Sequence, residues 1–411
     1  MKTANIVIIG GGIVGTVIAS ALAEKMSGVV LVEKEGIAAQ ASGANYGIVD
    51  IPGTPGFEYI SQTRSLELYE EFCSEHFDVD IEREVMGGLR VGFTEEQYQA
   101  IKWYCKTRQE LGIPIKMLDA HQTRELEPNL SREITASIYC DKDIQINPYM
   151  TVMAYSNLAK RRGAEILSGT EVFGINMEAG KIVSVETSAG VIATSLVIVA
   201  NGYMSRPLVR PLGINLPIFP QRLESLVTEP SEKLLTRTIH GMRYLTAEEA
   251  ETDPQSALEY EYKVDAVEDE ADLPKIDVED TIFAFLKPTM SGTMVLGTTS
   301  EFVGIDRRTT PRGLSAIIKE SVKICPKLAN ANIIRTWAAL IPFTFDSKPI
   351  LGKVPDFEGL YIAAGHPHAM SHAPAVGEAF AELFFNENNL SERSNFIFEQ
   401  TSITRFPNWR K

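Results

Sequence analysis

The chain has 411 residues, of which 44% are hydrophobic and 23% are charged. At about 100–200 residues per domain, this length predicts two or three domains. The composition excludes a disordered chain, a collagen-like repeat and a protein with many membrane spans. The net charge of −15 disfavours a nucleic-acid-binding protein, because neutralising phosphates requires an excess of lysine and arginine.

The first 33 residues have the pattern of a strand, a glycine-rich turn, a helix and a second strand. Residues 5–9 and 29–32 are short apolar runs rich in β-branched residues, as in buried parallel strands, and 16–25 reads as a helix. The turn at 10–15 fits G-x-G-x-x-G. The complete unit predicts a dinucleotide-binding site, without separating FAD from NAD.

The glycines and the final glutamate of this unit each have a physical task in binding a dinucleotide. Gly10 permits the tight turn, Gly12 lets the backbone approach a pyrophosphate, and Gly15 lets the helix pack closely on the strand. The start of the helix presents unpaired N–H groups to the phosphates. Glu33 ends the second strand, where a carboxylate accepts hydrogen bonds from ribose hydroxyls and disfavours the 2′-phosphate of NADP.

Seven later segments follow one another in the order of the motifs of a known flavoprotein group. They lie at 39–45, 146–148, 169–172, 196–202, 285–299, 335–352 and 361–377. In this order they resemble the D-amino acid oxidase (DAO) superfamily of FAD-dependent oxidoreductases. That group includes glycine and sarcosine oxidases and the flavin β subunits of heteromeric proline, hydroxyproline and opine dehydrogenases.

The resemblance implies an α/β fold with two interleaved domains. A Rossmann-like FAD-binding domain would comprise about 1–88, 149–213 and 332–411. An α+β substrate domain, built on an antiparallel sheet, would comprise about 89–148 and 214–331. Within it, Ser291-Gly292 predicts a hairpin turn between two strands, and 311–323 predicts a charged helix.

The resemblance also implies which residues contact FAD, most simply bound without a covalent link. Residues 360–363 predict a strand and Pro374 predicts the start of a helix. The turn between them would offer N–H donors to the negative charge of a reduced flavin. The implied cofactor-binding residues are Gly10, Gly12, Ile13, Val14, Gly15, Glu33, Lys34, Ser42, Gly43, Asn45, Val172, Asn201, Gly202, Gly365, His366, Met370 and Ser371.

Three of the six histidines lie within seven residues, at His366, His368 and His372. Their spacing alone would suit a metal, but no cysteine or acidic cluster accompanies them, so we predict no metal site. His366 and His368 are candidate catalytic residues beside the flavin. For His368 and His372, facing the substrate and hydrogen bonding in the core remain open alternatives, with His372 a candidate substrate-binding residue.

The sequence departs from its resemblance where relatives hold a substrate carboxylate. They use an arginine in L-R-P and a tyrosine in Y-x-x-P, and the corresponding residues here are Ile341 and Phe285. A buried carboxylate without partners is costly. Arg335, Arg222, Lys287 or the histidines could replace those anchors, the substrate could lack a carboxylate, or the subunit could have lost turnover.

The expected reaction is oxidation of the C–N bond of an amino acid or secondary amine. A hydride would pass to flavin N5, and the imine product would be hydrolysed. One alternative is a 2-hydroxy-acid oxidase or dehydrogenase, which would need a base such as His368. The other is an FAD-bearing subunit of a hetero-oligomeric dehydrogenase with little activity alone. Electrons would leave to oxygen or to a partner subunit, because this chain has no iron–sulfur cysteine set.

Residues 247–280 form an acidic insert with 14 Asp and Glu against two Lys. The insert is either a solvated loop or a docking surface for a partner in a hetero-oligomer. The four separate cysteines predict free thiols in a reducing compartment, and hence a cytoplasmic location. Three glycines interrupt the apolar stretch at 4–23, so we expect neither an export signal nor a membrane span.

Overall fold

The computed structural model describes residues 1–50, 56–242, 273 and 277–410. Its helices in these ranges are α1 (Ile13–Ala23), α2 (Ala41–Ala44), α3 (Phe57–Glu75), α4 (Glu95–Glu110), α5 (Ala120–Leu126), α6 (Pro148–Arg161), α7 (Ser205–Val209), α8 (Pro311–Ile324), α9 (Ala369–Phe385) and α10 (Glu392–Thr401). The strands are β1 (Lys2–Thr3), β2 (Ile6–Ile9), β3 (Val29–Glu33), β4 (Ile48–Val49), β5 (Glu84–Val85), β6 (Gly88–Gly92), β7 (Ile115–Asp119), β8 (Ala136–Cys140), β9 (Ile144–Gln145), β10 (Glu165–Ser168), β11 (Val172–Glu178), β12 (Lys181–Thr187), β13 (Gly190–Ala193), β14 (Val197–Val199), β15 (Phe219–Thr228), β16 (Thr238–Gly241), β17 (Phe285–Pro288), β18 (Met294–Gly297), β19 (Ile333–Phe343), β20 (Ile350–Lys353) and β21 (Leu360–Ala364).

A six-stranded sheet forms the centre of one half of the molecule. Its strand order is β10-β3-β2-β14-β21-β20, and every neighbouring pair is parallel except β20 and β21. The strand–turn–helix–strand unit predicted at the N-terminus is confirmed as β2, α1 and β3. Because the strands run parallel, the carboxyl ends of β2, β3, β14 and β21 lie at one edge, where ligands of such sheets bind.

Two other layers cover this sheet. Helices α1, α3, α6 and α9 pack against one another, and apolar side chains of α1, α6 and α9 share a buried core with one face of the sheet. A four-stranded sheet of order β1-β13-β12-β11 shares a second core with the opposite face. The sheet is therefore apolar on both faces, as the near-continuous apolar runs of β2 and β3 predict.

An eight-stranded sheet forms the centre of the other half. Its order is β19-β15-β18-β17-β16-β6-β8-β7, with all neighbours antiparallel except β16 and β6. The predicted hairpin around Ser291-Gly292 is confirmed as β17 and β18, and the helix predicted over 311–323 is confirmed as α8. The predicted fold class, a Rossmann-like domain with an α+β domain on a largely antiparallel sheet, is confirmed.

The structure differs from the predicted domain limits at residue 332. Strand β19, which that limit assigns to the FAD-binding domain, pairs with β15 from Phe219↔Phe343 to Thr228↔Ile333 in the eight-stranded sheet. This pairing joins segments more than 100 residues apart, so no local pattern indicates it. The other limits of the two interleaved domains remain predictions.

Helix α9 begins at Ala369, five residues before the predicted start at Pro374. A proline inside a helix cannot donate to the carbonyl four residues earlier, which here belongs to Met370. The Tyr69 hydroxyl donates to that carbonyl instead, at 2.8 Å. Ser65 Oγ similarly accepts from the N–H of Ala375 at 3.3 Å. Two side chains of α3 therefore allow the helix to pass through the proline.

Replacing Tyr69 by phenylalanine should lower the free energy of unfolding by about 1–3 kcal/mol, because the buried Met370 carbonyl would lose its partner. Tyr155→Phe is the matched control. Tyr155 is equally buried, but its hydroxyl has no hydrogen-bond partner in the described part of the chain. Urea unfolding of both variants provides the measurement, and equal losses would contradict the role assigned to Tyr69.

Most of the predicted acidic insert at 247–280 lies outside the described residues. No helix within the described ranges is long and apolar enough to cross a membrane. All four cysteines are free thiols, as expected, with Cys73 half-buried and the other three buried.

Candidate active site

One cavity of about 1040 Å³ connects the two halves of the molecule. On one side it is lined by residues at the carboxyl ends of β2, β3, β14 and β21. On the other side it is lined by residues of the eight-stranded sheet, from β6, β15, β16, β17 and β19. The cavity therefore starts at the predicted dinucleotide site and continues to a second site against the antiparallel sheet.

The glycine-rich turn at 10–15 requires glycine at two of its positions, Gly10 and Gly15. Gly10 has φ +116°, and a Cβ there would lie 2.5 Å from the carbonyl oxygen of Ala200. A Cβ at Gly15 would lie 2.0 Å from the carbonyl oxygen of Gly10. The close packing of β2, α1 and β14 thus depends on both glycines, in agreement with the structural tasks predicted for them.

Gly12 has a different role, because its backbone is one that any residue can adopt. It is the N-cap residue of α1, with φ −79° and ψ −176°, and as a glycine it has no side chain with which to cap the helix itself. A Cβ there would meet only the side chain of Ser42, with Oγ at 2.8 Å. Ser42 Oγ accepts from the N–H of Ile13 at 3.1 Å. The open space beside Gly12 and the start of α1 together form an anion-binding cradle.

Glu33 is held facing the cavity by two backbone groups. Its carboxylate accepts from the N–H of Gly11 at 2.6 Å and from the N–H of Glu35 at 2.8 Å. Farther along the rim of the cavity, Lys34 forms an ion pair with Glu171 at 3.1 Å. The hydrogen bond between the two side chains raises the pKa of Lys34. Val172 follows directly and also lines the cavity.

The opposite end of the cavity is formed by the turn between β21 and α9. Gly365 has φ +78°. His366 is only 2% exposed, and neither of its ring nitrogens has a hydrogen-bond partner in the described residues. Burial lowers its pKa to about 3, so the ring is neutral at physiological pH. Buried polar atoms are nearly always paired in native proteins, so these nitrogens indicate a polar ligand.

The donors and open spaces at both ends of the cavity fit FAD. The cradle at Gly12 suits a pyrophosphate, the carboxylate of Glu33 suits ribose hydroxyls, and the turn at Gly365 and His366 suits a polar ring. This arrangement defines the class of the protein, an FAD-dependent oxidoreductase. No group of three or more His, Cys, Asp or Glu side chains among the described residues is placed to hold a metal.

Comparison with known proteins gives the family. The model of the DAO family of FAD-dependent oxidoreductases matches residues 5–383, and the chain belongs to this family. Its homologues include the glycine oxidase of Bacillus licheniformis, which is 25% identical over 93% of each chain. The hydrogen cyanide synthase subunit HcnC of Pseudomonas protegens is 24% identical over 81% of this chain and 71% of that protein.

Solved structures agree with these relatives. The glycine oxidase of Bacillus cereus ATCC 14579 superposes with a TM-score of 0.79 at 25% identity, covering 94% of this chain and 96% of that one. The L-proline dehydrogenase of P. horikoshii superposes with a TM-score of 0.83 at 25% identity, covering 99% and 98%. The protein is therefore an FAD-dependent oxidoreductase of the DAO family.

Most of the predicted site residues line the single cavity. The predicted residues that line it are Gly10, Gly12, Val14, Glu33, Lys34, Ser42, Asn45, Val172, Asn201, Gly202, Phe285, Ile341, Gly365, His366, His368, Met370 and Ser371. Three predicted cofactor-binding residues lie behind this surface, namely Ile13, Gly15 and Gly43. The individual roles of all these residues remain predictions.

Two predicted substrate-binding residues do not reach the cavity. Arg335 is exposed and lies six residues before Ile341 on β19, which is roughly 20 Å away along an extended strand. His372 is fully buried behind the turn, with a ring nitrogen 3.0 Å from Nε2 of Gln62 and the ring edge-on to Phe57. Because α9 begins before Pro374, His372 lies on the helix and faces α3. This explains why it does not reach the cavity as predicted.

The other proposed replacements for the carboxylate anchor also have partners elsewhere. Arg222 is buried in β15, where it forms an ion pair with Glu301 at 2.8 Å. Lys287 donates to the carbonyl oxygens of Tyr46 and Ile146, the latter at 3.0 Å. Neither side chain is among those that line the cavity.

Lys287 makes the stability of the protein dependent on pH. Burial lowers its pKa from 10.5 to about 8, so between these values the unfolded chain binds more protons than the folded one. The free energy of unfolding should therefore rise with pH in this window, by about 3 kcal/mol relative to Lys287→Met. Urea unfolding of both proteins from pH 7.5 to pH 10.5 tests this, and a constant difference would contradict it.

The sequence analysis did not predict a group of charged and polar residues at the second end of the cavity. Arg90 and His240 are register partners on β6 and β16, beside the predicted Phe285 on β17, and all three line the cavity. Asp50 and Glu58 line it as well. Strands and loops distant in the chain bring these residues together, so the only signal in the sequence is a lone arginine inside an apolar strand.

The charges of this group depend on one another. Arg90 forms an ion pair with Asp50, and its guanidinium lies 3.8 Å from Asp143. Burial opposes ionisation of Asp50, but Arg90 together with His240, His368 and a backbone hydrogen bond outweighs burial and holds the pKa of Asp50 below its ordinary value. Burial and Arg90 together lower the pKa of His240 to about 3, while burial raises the pKa of Glu58. At neutral pH the group therefore contains one buried ion pair beside a neutral imidazole.

Proposed function

We propose that this protein oxidises the C–N bond of an amino acid or a secondary amine. The observation that carries the proposal is one continuous cavity, which extends from the dinucleotide cradle to a polar row on the eight-stranded sheet. Relatives named glycine oxidase and a structural neighbour named L-proline dehydrogenase support the same chemistry. FAD, when bound, supplies the acceptor for the hydride that leaves the α carbon.

The residues of this chain would bind the amine and exclude water. The ring of Phe285 stacks on Tyr46 with centroids 5.4 Å apart, and Ile341 adds a second apolar surface. These side chains would pack against the carbon skeleton and keep its α carbon towards the flavin end. The neutral His366 would hold a polar group there without adding charge. A base is not required for an amine that arrives unprotonated, and the imine is then hydrolysed by water.

Anaerobic reduction of the flavin by a panel of compounds tests the proposal. The panel contains amino acids, N-alkyl amino acids and opines, with a 2-hydroxy acid matched to each amino acid. At least one amine should bleach the yellow protein at a rate that saturates with concentration. Bleaching by 2-hydroxy acids alone would contradict the proposal.

The same panel tests a second candidate function, the oxidation of a 2-hydroxy acid. One observation favours this alternative. His368 lines the cavity at its flavin end and could take the hydroxyl proton. In that case His368→Asn should reduce the rate of flavin reduction far more than it weakens substrate binding. If the substrate is an amine, His368→Asn should change the rate of flavin reduction and the affinity for the substrate by similar factors.

A role as the flavin-bearing subunit of a complex is supported by the similarity to the subunit HcnC. Protein isolated from its native source would then co-purify with partner chains. Deleting 247–280 should abolish that association if the acidic insert is the docking surface. Unchanged assembly after the deletion would argue against the acidic insert as the docking surface.

A further inference from the structure

We propose that the Arg90–Asp50 ion pair is a template for the two opposite charges of a zwitterionic amino acid. The guanidinium would bind the carboxylate and Asp50 would bind the ammonium group, which must release one proton to water before the hydride leaves, because the imine forms with the nitrogen lone pair. The inference rests on the proposed function and narrows its substrate class, because neither a simple amine nor a 2-hydroxy acid carries both charges.

The position of Arg90 makes it the available anchor for an anion. Among the described residues that line the cavity, Lys34 is the one other lysine or arginine, and it lies beside Glu33 with Glu171 as its partner. Arg90 lies at the other end, in a row with His240 and Phe285 on adjacent strands. An anionic group at the substrate end therefore has a single guanidinium within the described lining.

Arg90 keeps donors for a ligand. Its side chain is 9% exposed, and its one hydrogen bond among the described residues goes to Asp50. A guanidinium has five N–H groups, so several remain for a carboxylate. The neighbouring His240 ring is buried, and its Nε2 has no hydrogen-bond partner in the described part of the chain. This unpaired nitrogen beside the guanidinium is a second, independent sign of a polar ligand.

The ion pair also determines which charge the ligand can carry. Asp50 pairs with Arg90, and Asp143 lies 3.8 Å from the same guanidinium, so a lone carboxylate would add a further negative charge beside two carboxylates. A lone ammonium would leave the remaining donors of the guanidinium without an anion. A zwitterion adds no net charge, and its two ends can align with the opposite ends of the pair. Phe285 then lies beside the pair as an apolar surface for the rest of the molecule.

The wild-type holoenzyme tests this without any variant. Dissociation constants are measured by anaerobic calorimetry after dithionite has reduced the flavin, so that binding occurs without turnover. Two matched sets serve as probes: racemic proline, tetrahydrofuran-2-carboxylate and pyrrolidine, and racemic alanine, lactate and ethylamine. In at least one set the zwitterion should bind about tenfold more tightly than both singly charged analogues. Absence of that preference from both sets would overturn the inference.

The double variant Asp50→Asn/Arg90→Gln removes both charges together and leaves no lone buried charge from the pair. Its affinity for the preferred zwitterion should fall about 30-fold, while the affinities for the singly charged probes should change less than about threefold. Arg222→Gln is the control, because it removes a buried arginine of the same sheet outside the cavity. An unchanged preference in the double variant would overturn the inference.

The two proposals fail separately. If the zwitterion is preferred but no amine bleaches the flavin, the recognition stands and the proposed reaction is wrong. If amines bleach the flavin but the charge preference is absent, the reaction stands and the role of the ion pair is wrong.

Discussion

Replacing Gly12 by alanine should give a folded protein whose affinity for FAD is roughly 100-fold lower. The backbone of Gly12 suits alanine, and the added Cβ would meet only the Ser42 side chain, which can rotate away. The same Cβ would fill the space where the pyrophosphate must approach the start of α1. The loss should therefore fall on cofactor binding, and the fold should survive.

The measurement is FAD titration of apoprotein, followed by flavin fluorescence and checked by circular dichroism. Gly36→Ala is the matched control, because a Cβ at Gly36 has no atom within 4 Å. The control should bind FAD like the wild type. Wild-type affinity in the Gly12 variant would contradict the assignment of the cradle.

Replacing Arg90 alone by glutamine should lower the free energy of unfolding by about 3–5 kcal/mol. The change leaves two carboxylates without the Arg90 guanidinium, namely Asp50, which is 20% exposed, and the buried Asp143. Adding Asp50→Asn should restore part of the loss, because it removes one of the two carboxylates that lie beside the lost guanidinium.

Urea unfolding of the single and double variants gives both values. Arg335→Gln is the control, since Arg335 is exposed on the same sheet and its loss should cost less than about 0.5 kcal/mol. Additive effects of the Arg90 and Asp50 substitutions would show that the two side chains do not depend on each other.

The parts of the site that are built by neighbours in sequence could be predicted from the sequence. The cradle at Gly12 needs only β2, the turn and α1, and Glu33 follows within the same unit. Local spacing and the preference of parallel strands for apolar β-branched residues therefore suffice. The turn at Gly365 and His366 lines the far end of the same cavity, and its resemblance to the family predicts the flavin there.

The parts that depend on strand register could not be predicted. The row of Arg90, His240 and Phe285 exists because β16 pairs with both β6 and β17, and a register shift of one residue would turn these side chains away. The start of α9 depends on Tyr69, which lies some 300 residues earlier in the chain. Arg335 and His372 lie in segments that resemble motifs of the family, but neither side chain lines the cavity, because strand register and the start of α9 direct both away from it.

The central claim is that the cavity directs the α C–H bond of an amine to the flavin. The most direct test is the anaerobic rate of flavin bleaching in a single turnover, measured with the fastest amino acid of the panel and with the same compound deuterated at the α carbon. We predict that deuteration slows bleaching several-fold, because the C–H bond breaks in the step that reduces the flavin. Equal rates for the two compounds would contradict the claim.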